Sequence, residues 1–333
     1  MVSLPNTSAQ SDVALHSSSE KRGADRAYRP FSDALYRTFI TTCASVIPAL
    51  LILLAIVIIV AAWPAIITAR SEILVGSNWD VSHNHFGALP ALVGTVASSF
   101  IALVLATPLA LGCAILCAEL APRWLRSPVA YLIDLLAAIP SVVYGLWGLF
   151  VVVPFMRETF MPFVQQTLKL GSIPIFAGAP YGPSLLAASV VLAIMILPYI
   201  ASVSREVLSA VPQSQREAAL ALGATRWEMV RDAVLPFARS GLVGGVMLGL
   251  GRALGETMAV AMVIGNRNAI PGSLFDPAYT VASLLANEFV EASTALHVSA
   301  LMAVAGALLL VTVLVNALAR WLVLRTQHVA SAE

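Results

Sequence analysis

Two charged side chains, Arg252 and Glu256, stand four positions apart in an otherwise apolar stretch of the sequence. An unpaired charge inside a bilayer costs at least ~2.5–3.5 kcal/mol, and residues kept there at that cost face a bundle interior or a water-filled path. Counted from Ser240 at about 1.5 Å per residue, Arg252 falls about 18 Å into a hydrocarbon layer of about 30 Å. The pair reads either as the polar lining of a path or as an i,i+4 salt bridge that locks two helices. Projection at about 100° per residue brings Gly241, Gly245 and Gly249 into one arc of about 80° with the two charges. Glycines let another backbone approach closely, so this face predicts tight helix contact beside a polar lining.

Bond-making chemistry finds no such constellation. No apolar stretch offers a paired nucleophile and base or a metal-ligand set. Neither of the two lysines, Lys21 and Lys169, lies in a GxxxxGK[ST] loop. The chain therefore lacks the phosphate cradle of a P-loop ATPase, and if ATP drives it, another chain binds the nucleotide. Cys43, Cys113 and Cys117 all lie in apolar stretches, an odd count that gives no disulfide framework. Cys113 and Cys117, four apart, read as small apolar packing residues rather than a metal or redox pair. His83 and His85 flank Asn84 near Asp80, and this unspecific spacing reads as a solvated loop rather than a metal site.

The elements that must position Arg252 and Glu256 are membrane helices. Of 333 residues, 59% are hydrophobic and 11% charged, against about 25% charged in an ordinary soluble domain. A water-soluble enzyme is excluded, and uncharged stretches long enough to cross a bilayer recur. The expected fold is all-α, a polytopic protein of six spans at about 38–66, 89–118, 130–154, 184–204, 238–265 and 294–320. Pro48 and Pro64 kink or delimit the first span, and Pro108, Pro140 and Pro198 suggest kinks in the next three. A connection over 155–183 holds an amphipathic helix, Glu158 to Leu170, and a Gly/Pro-rich stretch. Residues 1–30 form a polar, Ser-rich tail without the features of a secretory signal, expected to be disordered, and 326–333 form a short C-terminal tail.

Basic residues set the orientation. Lys21, Arg22, Arg26, Arg29 and Arg37, then Arg123 and Arg126, then Arg205, Arg216, Arg226, Arg231 and Arg239, then Arg320 and Arg325 share one side. Arg70, Arg157, Lys169 and Arg267 take the other. Both termini are therefore expected in the cytoplasm. Asp134 near the inner end of the third span reads as structural. Asn287, Glu288 and Glu291, with Arg267 and Asp276, form a polar outer surface that either meets a partner or is simply hydrated.

The segment 205–236 predicts an elbow. Gln213 to Leu222 is a short helix ending at Gly223, which suits a left-handed cap. Thr225 and Glu228 fit a capping box that starts a second helix, which Pro236 ends before span five begins. Glu217, Ala218 and Ala219, then Gly223, then Leu235 and Pro236 have the spacing of the EAA loop, and the segment resembles that loop of ATP-binding-cassette importer permeases. Ala233 stands where that family often has isoleucine. The resemblance implies a type I importer permease fold, an elbow that docks into a cleft on a separate ATPase subunit, and the glycine face at an interface between two permease subunits.

Gly251 to Asn266, GRALGETMAVAMVIGN, and Ile139 to Phe150, IPSVVYGLWGLF, resemble the PstC-type subunit of bacterial phosphate-uptake permeases. The resemblance runs from about Phe31 to Arg325. It implies phosphate as cargo, a PstS-type binding protein that delivers it, a PstA-type sister permease, and a PstB-type ATPase dimer carrying ATP and Mg, in the bacterial inner membrane. An Arg guanidinium recognises tetrahedral oxyanions well, and Glu256 would neutralise Arg252 when no anion is present. No cofactor is expected in this chain. A sulfate or molybdate permease is the nearest alternative. A proton-coupled carrier would need protonatable groups in several spans and would have no use for the elbow.

Overall fold

In lipid, a backbone can satisfy its own N–H and C=O groups only by closing them into helices or barrels, and the apolar stretches here form helices. The computed structural model describes residues 30–69 and 72–330. The tail expected over 1–30 falls outside the described residues up to position 29, and Pro30 opens the first helix, α1 (Pro30–Ala69). Then follow α2 (Leu89–Leu120), α3 (Arg123–Ala138), α4 (Ser141–Thr167), α5 (Leu185–Ser209), α6 (Gln213–Ala221), α7 (Arg226–Leu254), α8 (Met258–Val263), α9 (Val281–Glu291) and α10 (Ala295–Ala330). Among the described residues six helices are long and apolar enough to cross a membrane: α1, α2, α4, α5, α7 and α10. Because α10 runs to Ala330, the C-terminal tail expected from 326 is helical over its described part.

The chain divides into two units, residues 1–57 and 58–333. The described part of the first is helical, and the helix passes through Pro48 without ending. Its threonines bond back along the helix, Thr41 Oγ1 donating to the Arg37 carbonyl and Thr42 Oγ1 to that of Thr38. Ile47, Leu50 and Ile52 are exposed, a surface that suits lipid and not water.

Small residues set the closest contact in the second unit. Ala102, Ala106 and Ala110 recur every fourth position on α2 and are fully buried in one cluster with Val191, Met195 and Ile196 of α5. With no water to expel between lipid-embedded helices, such small faces gain association from close van der Waals packing. Ser299 of α10 accepts from the Ala65 N–H at 3.0 Å and donates to the Ala61 carbonyl at 2.8 Å. A two-stranded ribbon, β1 (Trp79–Asp80) and β2 (His85–Phe86), pairs Trp79 with Phe86 and Asp80 with His85.

Two spans differ from expectation. The third was placed at 130–154, but Pro140 divides that segment. Ile139 is extended (φ −67°, ψ 129°) and α3 stops at Ala138, because a residue before proline is driven out of the helical region. The crossing helix α4 starts at Ser141 and continues to Thr167. It absorbs the expected amphipathic helix of the outer connection, whose Arg157 and Glu158 pair on an exposed face at 2.8 Å. The helix expected over 238–265 ends at Leu254, with Gly255 as its C-cap. The separate helix α8 follows after a break.

Candidate functional site

The elbow forms as its local signals require. The N–H of Gly223 donates to the Leu220 carbonyl and that of Ala224 to the Ala219 carbonyl, the paired bonds of a Schellman ending. Gly223 has φ +89° and open space where a side chain would stand, so conformation rather than crowding requires glycine here. Thr225 and Glu228 close a full capping box at the start of α7. One expectation is corrected: Pro236 does not end this helix. A π turn over Val230–Val234 precedes it, and the helix continues to Leu254. A wider turn accommodates the N–H that proline lacks without breaking the helix.

Glu217 and Ala218 are exposed, Ala219 and Leu235 are half-buried, and Pro236 is exposed. Leu220, Leu222 and Trp227 add exposed apolar surface beside them. Arg216, one turn before Leu220 on α6, is held inside. Its Nε donates to both carboxylate oxygens of Glu119 at 3.2 Å, and Nη2 donates to Glu119 Oε1 at 2.7 Å and to the Leu208 carbonyl at 2.8 Å. Nη1 donates to the Val211 carbonyl. The two side chains are 13% and 6% exposed. Losing one partner of a desolvated pair typically costs about 3–5 kcal/mol. Sequence reasoning counted Arg216 only as one basic residue of the loop and gave Glu119 no role. A lone carboxylate closing the apolar second span was the available signal.

Arg252 and Glu256 are not joined. Arg252 occupies the last turn of α7, where the carbonyl end of a helix favours a cation. Glu256 lies in the break and is buried, its Oε1 accepting from the Ala259 N–H at 3.3 Å, inside α8. Among the described ion pairs none links the two. Each charge stands at its own helix end, and a helix break takes the place of the one-turn salt bridge that was one of the two readings.

The guanidinium of Arg252 instead lies over the ring of Tyr199 on α5, its Cζ 4.4 Å from the ring centroid. Its Nε is buried and has no hydrogen-bond partner within the chain. Tyr199 Oη donates to the Ala137 carbonyl at 3.1 Å, and Tyr144 Oη to the Leu136 carbonyl at 2.8 Å. Both tyrosines thus satisfy the last carbonyls of α3, next to the Pro140 break. Neither was anticipated, since an aromatic residue in an apolar span carries no signal of its own.

The three glycines meet a helix of the same chain. A Cβ on Gly241 would stand 2.5 Å from Val207 Cγ1, one on Gly249 2.5 Å from Ile200 Cγ1, and one on Gly245 3.3 Å from Ser204 Oγ. All three neighbours are on α5. The stripe seats α7 against α5 of the same chain.

The weaker candidates resolve into structure. Asp134 accepts from Ser202 Oγ at 3.3 Å and Arg205 Nη2 at 3.5 Å, tying α3 to α5. Asp80 and His83 pair at 2.7 Å, and His85 and Glu72 at 2.8 Å. The hydrogen bond from His83 holds the Asp80 carboxyl below its ordinary range. Among the described residues no three His, Cys, Asp or Glu side chains are placed to hold a metal. Asp276 accepts from the Gly272 and Ser273 N–H groups at 3.0 Å each, and Glu288 lies 3.3 Å from the buried His297.

Comparison with known proteins agrees with this architecture. Residues 106–328 match the family described as binding-protein-dependent transport system inner membrane component. The phosphate transport system permease protein PstC of Mesorhizobium japonicum is 44% identical over 309 residues, 90% of this chain and 93% of that protein. PstC of Pasteurella multocida is 46% identical over 269 residues, 80% of this chain and 83% of its own. In fold, the chain resembles an inward-facing structure of the MetNI methionine ABC transporter, with a TM-score of 0.52 at 20% identity, covering 69% of this chain and 91% of that one. Six apolar helices and this kinship make it a multi-pass protein of a bacterial inner membrane. The chain belongs to the family of binding-protein-dependent transport system inner membrane components, and PstC permeases are among its relatives.

Proposed function

We propose that this chain is a permease subunit of an ATP-driven importer that carries inorganic phosphate into the cytoplasm. The observation that carries the cargo is the near full-length likeness to permeases named for phosphate transport. In this reading a PstS-type binding protein delivers phosphate, a PstA-type sister permease completes the path, and a PstB-type ATPase dimer holds ATP and Mg. Both termini and the elbow face the cytoplasm. Glu217, Ala218 and Ala219 with Leu220, Leu222 and Trp227 form the surface that meets the ATPase, and helix-in-groove docking suits such a face.

Arg252 is the residue that would meet the anion. With its ring-stacked face on Tyr199, the edge of the guanidinium remains to donate N–H groups to phosphate oxygens. Glu256 leaves that edge free because its carboxylate is engaged by the Ala259 N–H. Its buried negative charge also disfavours lasting capture of an anion nearby. The test is radiolabelled phosphate uptake in cells whose only such permease is this chain with its partners. Uptake that excess sulfate or molybdate leaves intact supports the reading. Inhibition by either at equal concentration points to another oxyanion, and transport by the lone chain without ATP overturns it.

A further inference from the structure

We infer that Arg216 is a positioning residue whose contacts make the elbow helix α6 move as one body with α2 and α5. The inference rests on reading 205–236 as the loop that meets an ATPase. α6 has nine residues and none of them is buried, so packing alone holds it weakly. Only the three residues Ala210–Pro212 connect it to α5. A push on so exposed a helix would bend this connection unless something braced it.

The Arg216 guanidinium is that brace. It reaches three separate pieces of backbone or side chain at once: Glu119 at the end of α2, Leu208 in the last turn of α5, and Val211 in the connection itself. The last carbonyls of a helix have no partner within it, and Arg216 adds a charged donor to the Leu208 carbonyl, which also accepts from the Val211 N–H at 3.3 Å. Glu119 sits in a π turn, Leu116–Leu120, whose extra residue per turn re-aims side chains relative to the buried alanine stripe farther up α2. α2 and α5 share the buried cluster described above. Displacement of α6 is therefore passed to two packed helices rather than lost in a hinge. A lysine carries its three N–H donors on one nitrogen and has no planar fork, so it keeps the charge but not the bidentate hold on Glu119 together with both carbonyls.

The experiment measures ATP hydrolysed per phosphate imported by the complete importer in proteoliposomes, with wild-type chain, Arg216→Gln, Arg216→Lys and Glu119→Gln. The ratio is expected to rise at least about fivefold in Arg216→Gln, the low end of ordinary couplings between sites. Arg216→Lys should not restore it, and Glu119→Gln should raise it less, because both carbonyl contacts survive. A wild-type ratio in all three variants overturns the inference alone. That includes the case in which assembled complex and uptake fall together, the mark of poor folding. A wild-type chain that neither binds an ATPase nor depends on one overturns the underlying reading and this inference with it.

Discussion

Arg252 is partnered by an aromatic face 53 positions earlier in the chain: its Cζ lies 4.4 Å from the centroid of the Tyr199 ring, and Glu256, one turn onward in sequence, is engaged elsewhere. A guanidinium over a tyrosine ring gains about 0.5–2 kcal/mol, more as water is excluded. Unlike a salt bridge, this contact leaves the positive charge unneutralised. It holds the side chain in one orientation while its edge stays able to bind an anion.

Arg252→Gln is expected to reduce phosphate uptake at least about a hundredfold, a loss of about 2.7 kcal/mol of stabilisation along the path. Assembly with the partner subunits should persist, because α7 is seated by its glycines rather than by this side chain. Uptake and co-purification measured on the same membranes check both halves. Normal uptake in this variant would remove Arg252 from the path.

Tyr199→Phe keeps the ring and loses only the hydroxyl bond to the Ala137 carbonyl. Its uptake should stay close to that of wild type, because the hydroxyl bonds α3 and the ring that carries Arg252 is kept. Tyr199→Leu removes the face on which Arg252 rests and should lower uptake about tenfold or more. Equal uptake by the two variants would show that the ring does not position the arginine.

Glu256→Gln is expected to preserve thermal stability, because an amide oxygen can still accept from the Ala259 N–H. Glu256→Leu leaves that N–H without its partner and should cost about 0.5–2 kcal/mol, as lost helix caps do. Thermal unfolding in detergent separates them. If Glu256→Gln is as unstable as the leucine variant, the carboxylate charge itself holds the break together.

What the sequence made legible follows from the range of each interaction. Gly223 and the Thr225–Glu228 box act within four residues, so the elbow could be read directly. The count of spans follows from hydropathy alone. The ends of α4 and α7 do not, because apolar residues continue across Pro140 and across Gly255, and hydropathy does not register a break there. The pairing of Arg252 with Glu256 assumed an unbroken helix between them. The stripe Gly241, Gly245 and Gly249 was correctly read as close helix contact, but periodicity states that a face is small and never which helix lies against it. Arg216 and Glu119 are 97 positions apart, and only the packed fold brings them together.

The glycine faces of α7 give the last test, because two of them differ in what a methyl group would meet. Gly249→Ala places a Cβ about where Ile200 Cγ1 already stands, 2.5 Å away. Overpacking of this kind typically costs about 1–3 kcal/mol, and the lone chain in detergent should unfold at a visibly lower temperature. Gly244 and Gly251 have nothing within 4 Å of that position. Alanine at either should leave the lone chain unchanged or raise its stability by up to about 1 kcal/mol, the helix-propensity difference between the two residues. Thermal unfolding of the three variants decides between the two uses of the stripe. If Gly249→Ala leaves the isolated chain unaffected and weakens only its association with a sister subunit, the contact with α5 is not what these glycines serve.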